Sequence, residues 1–159
     1  MELGSGTGQH VIAFARRAPG IVWWPSHCEE AHMQSIAAWR AQAQLGNVRQ
    51  PLRIDASEPD WGLQRAGAPA EFMAILCINV LHIAPWRVAD GLLAGAARHL
   101  RADGRLFVYD RSCATASIPR PATPRSIKAC VDTIPNGACA ILMISVALLK
   151  AGSSCSLKP

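Results

Sequence analysis

The sequence predicts an α/β domain, a mostly parallel sheet with helices on both faces, and three observations carry that prediction. Strand-like apolar runs alternate with segments of helical period over residues 1–110, the order that builds a parallel sheet with crossover helices. Residues 72–78 read FMAILCI, a near-continuous apolar run of the kind that a strand buried on both faces requires. The chain also opens on a Gly-rich stretch, residues 2–8, that feeds directly into an apolar helical pattern.

Taken in order, Val11, Ile12, Phe14 and Ala15 share one face of a first helix, which Pro19-Gly20 stops. Residues 21–24 (IVWW) predict a short buried strand. Pro25-Ser26 opens a second helix, because Ser26 and Glu29 have the S-x-x-E spacing of a capping box. Met33, Ile36 and Ala37 continue its apolar face, and Leu45-Gly46-Asn47 ends it. Residues 51–54 form a third strand that ends at Asp55, followed by a loop through Pro59, Trp61 and Gly67. After the apolar run at 72–78, Pro85 suits the first turn of another helix, along which Val88, Leu92, Ala96 and Leu100 recur every fourth residue. Asp103-Gly104 reads as a turn and residues 105–109 as a fifth strand. The sequence thus divides into a core at 1–111 and a divergent tail at 112–159 that need not be ordered. Within that tail, residues 141–149 offer a substitute strand.

Composition narrows the function classes. Hydrophobic residues make up 50% of the chain, enough for a packed core. The net charge of +5 is uneven: residues 1–111 contribute +1 and residues 112–159 contribute +4. No run of five basic residues occurs and no aromatics interleave the tail charges, so the footprint of a nucleic-acid binder is missing. The most apolar stretch, residues 138–149, is short of the ~20 residues a membrane span needs. A small-molecule partner is therefore expected, with neither nucleic acid nor membrane. Cys28, Cys77, Cys113, Cys130, Cys139 and Cys155 form no C-x-x-C pair, and no secretory pattern precedes them. Reduced thiols in the cytoplasm follow. Cys28 and His32 could share a helical face, but two ligands do not make a structural zinc site, and His27 and His32 would point apart on a helix. No metal site is expected.

Right-handed crossovers would bring the strand C-termini to one edge, where open sheets bind ligands. Glu2, His27, Asp55 and Asn79 would meet there. Glu2-Leu3-Gly4-Ser5-Gly6-Thr7-Gly8 is an acidic-x-G-x-G-x-G run at a helix start, where free amides and the helix dipole favour a carboxylate or phosphate. A dinucleotide fingerprint would need Gly at position 9, which is Gln9. That counts against an NAD(P)-dependent oxidoreductase.

Residues 2–10 (ELGSGTGQH), 23–27 (WWPSH), Asp55-Ala56, 79–86 (NVLHIAPW) and 91–109 together resemble an uncharacterised family of S-adenosylmethionine (SAM) dependent methyltransferases of the Rossmann-like class I. The resemblance implies that Glu2 and the loop Gly4, Ser5, Gly6, Thr7 and Gly8 hold the methionine part of SAM. It implies that Asp55 accepts from the adenine amino group beside the Ala56 amide, and that Asn79 and Val80 line the cofactor near the sulfonium. His82 and Trp86 would face the substrate, an unidentified small acceptor, with His82 as the candidate general base. The resemblance would place an acid for the ribose hydroxyls at position 27, where this chain has His27; Glu29 or Glu30, on the next helix, could substitute. The first strand would precede Glu2, of which only Met1 is present, so the sheet reads as truncated there, and nothing after Tyr109 resembles the family's closing strands. A catalytically inactive remnant acting through interactions is the alternative reading.

Overall fold

The computed structural model describes residues 1–110 together with the backbone of 130–133 and 140–145. Most of the expected divergent tail at 112–159 lies outside the described residues. Among the described residues, seven strands and three helices follow in the order β1 (Glu2–Leu3), α1 (Gln9–Arg17), β2 (Ser26–His27), α2 (Glu30–Ala43), β3 (Leu52–Arg53), β4 (Phe72–Ile78), α3 (Trp86–His99), β5 (Leu100–Asp110), β6 (Cys130–Thr133) and β7 (Ala140–Ser145). Five strands form one sheet in the order β1-β4-β5-β7-β6, and β2 pairs with β3. A parallel bridge between Glu2 and Pro25 joins the two sheets into one surface. Strands β1, β4 and β5 are mutually parallel, as are β2 and β3, whereas β7 runs antiparallel to β5 and to β6. This is the mostly parallel α/β sandwich that the sequence predicts.

Helices cover both faces because the strands alternate their side chains. On β4, Ile75 and Cys77 pack with Leu92 and Ala96 of α3, in a core that also holds Leu3, Ile54, Trp61, Leu100, Leu106 and Val108. Leu76, between them, points to the other face and meets Val11, Ile12 and Ala15 of α1 with Trp23, Val48 and the α2 residues Trp39 and Ala43. That second face is only partly covered. Ala74, Leu76 and Ile78 along it are only half-buried, so β4 is not buried on both faces as its continuous apolar run suggests.

Several boundaries depart from the sequence reading. The first strand is Glu2–Leu3 itself, in register with Leu76 and Cys77. Met1 extends it: its carbonyl accepts from Leu76 N at 2.9 Å and its nitrogen donates to Ala74 O at 2.8 Å. Glu2 N donates to Trp24 O and Ser5 N to Ser26 O, so β1 keeps partners on both sides. The expected strand at 21–24 is displaced. Ile21 and Val22 are exposed beyond the Pro19-Gly20 turn, and the regular ladder forms at Ser26–His27, after Pro25, which has no N–H to donate.

Ser26 is therefore not a helix cap. It is fully buried in β2, and Glu29, in extended conformation, precedes α2 without a side-chain cap bond. The local S-x-x-E pattern loses to the sheet pairing. Strand β5 begins immediately after α3, and Asp103-Gly104 lies inside it rather than in a turn. The extra residues are absorbed by a register shift in which Phe72 faces Leu100 while Ala74 faces Arg105. The apolar tail stretch contributes β7 at Ala140–Ser145, within the expected 141–149 apart from its first residue; 146–149 lie outside the described residues.

Candidate functional site

The parallel strands end along one edge, and a cavity of about 580 Å³ opens there. Four segments at the strand ends build its wall. The loop after β1 supplies Leu3, Gly4, Ser5, Gly6 and Thr7, and the end of β2 supplies His27, Cys28 and Glu29. The loop after β3 supplies Asp55, Ala56 and Ser57, and the end of β4 supplies Asn79 and Val80. The structure thus brings together Gly4, Ser5, Gly6, Thr7, His27, Asp55, Ala56, Asn79 and Val80 from the expected set.

Glu2 and Gly8 stand behind this wall rather than in it. Glu2 is 1% exposed, and its Oε2 has no hydrogen-bond partner among the described residues. Burial raises the Glu2 carboxyl above the ordinary carboxylate range, against the opposing pull of a Ser5 hydrogen bond and of His10. Gly4 sits at φ 67, and a Cβ there would meet Val80 Cγ2 at 2.5 Å. The β1 loop and the β4 loop therefore close on each other only because position 4 has no side chain. Above Gly6 a Cβ would meet nothing within 4 Å, which leaves the loop open toward the cavity.

Asn79 carries the left-handed backbone of β4's end, at φ 55, and its amide donates to Tyr109 O at 2.8 Å. Asn is one of the few residues that tolerates this region. Asp55 is held in an Asx turn: its Oδ1 accepts from Ser57 Oγ at 2.7 Å and from Ser57 N at 2.9 Å. These two bonds, with a smaller contribution from Arg87, hold the Asp55 carboxyl below its ordinary value. It remains ionised at the cavity wall.

His82 and Trp86, expected on the substrate side, do not line the cavity; Ile83, Ala84, Pro85, Arg87 and Val88 do. The cause is the turn after β4. Ile83 N and Ala84 N both donate to Val80 O, a turn that sets Ile83 and Ala84 along the cavity, while Trp86 is 46% exposed at the start of α3. His27 also differs from expectation. It belongs to β2 and not to a helix, so its ring meets that of His32 on α2, stacked with centroids 4.1 Å apart.

The sequence reading missed Gln9, His10, Ser57 and Arg87 as wall residues; Glu29, which it weighed as a substitute acid, lines the wall too, as do Cys28 and His32, which it weighed only as metal ligands. Gln9 and His10 belong to the very run that carries the resemblance, and Ser57 follows Asp55 at Asx-turn spacing. Nothing local marks Arg87. Among the described residues no helix is long and apolar enough to cross a membrane, and no group of three or more His, Cys, Asp or Glu is arranged to hold a metal ion.

A glycine-rich turn, four strand ends converging on one cavity and an antiparallel β7 define a Rossmann-like α/β fold of the kind found in class I methyltransferases. Similar solved structures include TrmN from Thermus thermophilus, at 19% identity and a TM-score of 0.60, over 89% of this chain and 42% of that one. The O-methyltransferase of a trans-AT PKS multienzyme of Brevibacillus brevis, in complex with S-adenosyl-L-homocysteine, is 24% identical at a TM-score of 0.55, over 69% of this chain and 34% of that one. Coclaurine N-methyltransferase, bound to N-methylheliamine and S-adenosylhomocysteine, is 17% identical at 0.55, over 69% and 29%. The chain thus spans less than half the length of each of these structures. By sequence it belongs to DUF938, a family described as protein of unknown function, whose model matches residues 1–113.

Proposed function

We propose that this chain is the cofactor-binding region of a SAM-dependent methyltransferase acting on an unidentified small acceptor. The observation that carries the reading is the pairing of an open glycine loop with an orphaned carboxylate. Among the described residues Glu2 Oε2 is buried without a partner, and Glu2 leads into the loop whose Gly6 leaves its space empty. A buried unpaired carboxylate oxygen is costly, and the ammonium group of a methionine moiety in that space would offset the cost. The loop amides at the start of α1 suit the carboxylate of the same moiety.

Asp55, ionised and with Oδ1 engaged by Ser57, keeps an acceptor for the adenine amino group, with the Ala56 amide next to it. Asn79 and Val80 would flank the reacting centre. The bound cofactor supplies a methyl group already activated on a sulfonium. The protein's own part is then alignment of an acceptor for in-line attack, which can supply much of the rate. No base is needed unless the acceptor must shed a proton, and His82, outside the wall, would reach an acceptor only across the rim. Ile83 and Trp86 at that rim are 77% and 46% exposed, and they suit an acceptor with apolar surface. Cys28 is an exposed free thiol, which suits a cytoplasmic setting.

The alternative, a form that binds no cofactor and acts by interaction, is favoured by one feature, His27 at the end of β2. Isothermal titration of the folded chain with S-adenosylhomocysteine decides between them. Saturable binding near one equivalent supports the methyltransferase reading; a folded chain that takes up none overturns it.

A further inference from the structure

In open parallel sheets a nucleoside lies across the strand ends, with its ribose at the end of the second strand, about 20 residues beyond the glycine loop. A ribose diol needs hydrogen-bond acceptors there. His27, at that strand end, has none to give. Its Nδ1 accepts from Glu29 N at 3.1 Å, so in a neutral ring the remaining nitrogen, Nε2, carries the hydrogen and can only donate. Burial and the neighbouring His32 hold the ring below its ordinary pKa and so keep it neutral. Cys28 offers only a weak sulfur acceptor.

Glu29 lies two residues further on and lines the same cavity, whereas Glu30 does not. One carboxylate oxygen, Oε2, lies 3.1 Å from His32 Nδ1, and among the described residues Oε1 makes no hydrogen bond. The His32 ring is itself fixed by stacking on His27 at 4.1 Å. The three residues sit together at the cavity wall: His27 Nδ1 accepts from the Glu29 amide, and His32 Nδ1 lies against one oxygen of the exposed Glu29 carboxylate, which leaves the other oxygen open to a ligand. The geometry points to Glu29 as the ribose-binding acid of this chain, with the acceptor role moved two residues beyond the strand end and His27 and His32 as its positioning residues.

This inference rests on the cofactor reading above, and its test separates the two. Two probes are titrated calorimetrically, S-adenosylhomocysteine and its 2′,3′-dideoxy analogue, which lacks both ribose hydroxyls. The chains are the wild type, Glu29→Gln, Glu30→Gln and the double variant His27→Asp with Glu29→Gln, each checked for unchanged melting by circular dichroism. Glu29→Gln is expected to weaken S-adenosylhomocysteine at least tenfold, and Glu30→Gln less than twofold. The analogue should bind the wild type and Glu29→Gln alike, and the double variant should recover most of the lost affinity. Equal binding of S-adenosylhomocysteine by wild type and Glu29→Gln overturns the assignment. So does a Glu29→Gln loss of the same size for both probes, which would mark a purely structural role. A folded wild type that binds neither probe overturns the cofactor reading and the assignment with it.

Discussion

Ser26 Oγ donates to the Glu2 carbonyl at 2.8 Å, across the seam between the two sheets. The same residue's amide donates to Ser5 Oγ at 3.2 Å, and its carbonyl accepts from Ser5 N at 2.8 Å. The backbone of Ser26 thus holds the glycine loop, and its fully buried hydroxyl ties the end of β2 to β1. Its removal leaves the Glu2 carbonyl short of a donor in a site with no water access. Ser26→Ala is expected to lower stability by about 1–3 kcal/mol, read as a shift in the urea midpoint with unchanged slope. Ser35→Ala is the control: its hydroxyl also donates to a loop carbonyl, Thr7 O at 2.9 Å, but on the exposed side, and that change should cost less than about 1 kcal/mol.

Gly91 on α3 lies against the backbone of the Asp55 loop. A Cβ there would collide with the Ala56 carbonyl and would come within 2.7 Å of Ser57 Cα. Backbone cannot yield as a flexible side chain can. Gly91→Ala should therefore displace either α3 or residues 55–57, at about 1–3 kcal/mol. The displaced loop carries Asp55, so S-adenosylhomocysteine affinity should fall along with stability. Loss of stability with unaltered affinity would show that the helix moves and the loop does not.

Asn79 offers a way to separate backbone from side chain. Its φ of 55 costs an ordinary residue about 1–2 kcal/mol. Asn79→Ala should lower the melting midpoint by that order, whereas Asn79→Gly should hold stability to within about 0.5 kcal/mol. If the side chain also lines a bound cofactor, both variants should lose affinity to a similar extent, although only one loses stability. Retained affinity in the stable Gly variant would confine the role of Asn79 to the turn.

How far the sequence prefigured these relationships depends on range. The 72–78 run and the fourfold spacing of Val88, Leu92 and Ala96 were legible because each pattern reports burial on a single element. Asp55, Asn79 and the glycine loop were legible because strand ends must meet at one edge. Ser26 was misread as a cap because the competing claim on it, pairing with β1 and β3, comes from residues more than 20 positions away in each direction. The same error hid the His27–His32 contact: with residue 27 on a strand and residue 32 on a helix, no single-element geometry relates their rings. Asp103-Gly104 is ordinary turn chemistry, overridden by a register shift that only the partner strand reveals.

The buried Glu2 sets a pH dependence with a definite sign. Burial raises its folded-state carboxyl above the ordinary value near 4.3 that the unfolded chain retains. A raised acid binds its proton more tightly when folded, so its stabilising effect is complete below the unfolded value and is lost as pH rises through the folded one. Between those two values the chain should lose up to about 1.4 kcal/mol per pH unit from this group alone. Glu2→Gln removes the titration and keeps the shape. Its stability profile from pH 4 upward should be flatter than the wild type's, and at neutral pH the variant should be the more stable of the two in the absence of ligand. S-adenosylhomocysteine should reverse that order, because its ammonium group favours the ionised Glu2 and has no such partner in Glu2→Gln. Parallel pH profiles for the two chains would mean that Glu2 is solvated when folded, and with that the orphaned oxygen would lose its part in the binding site.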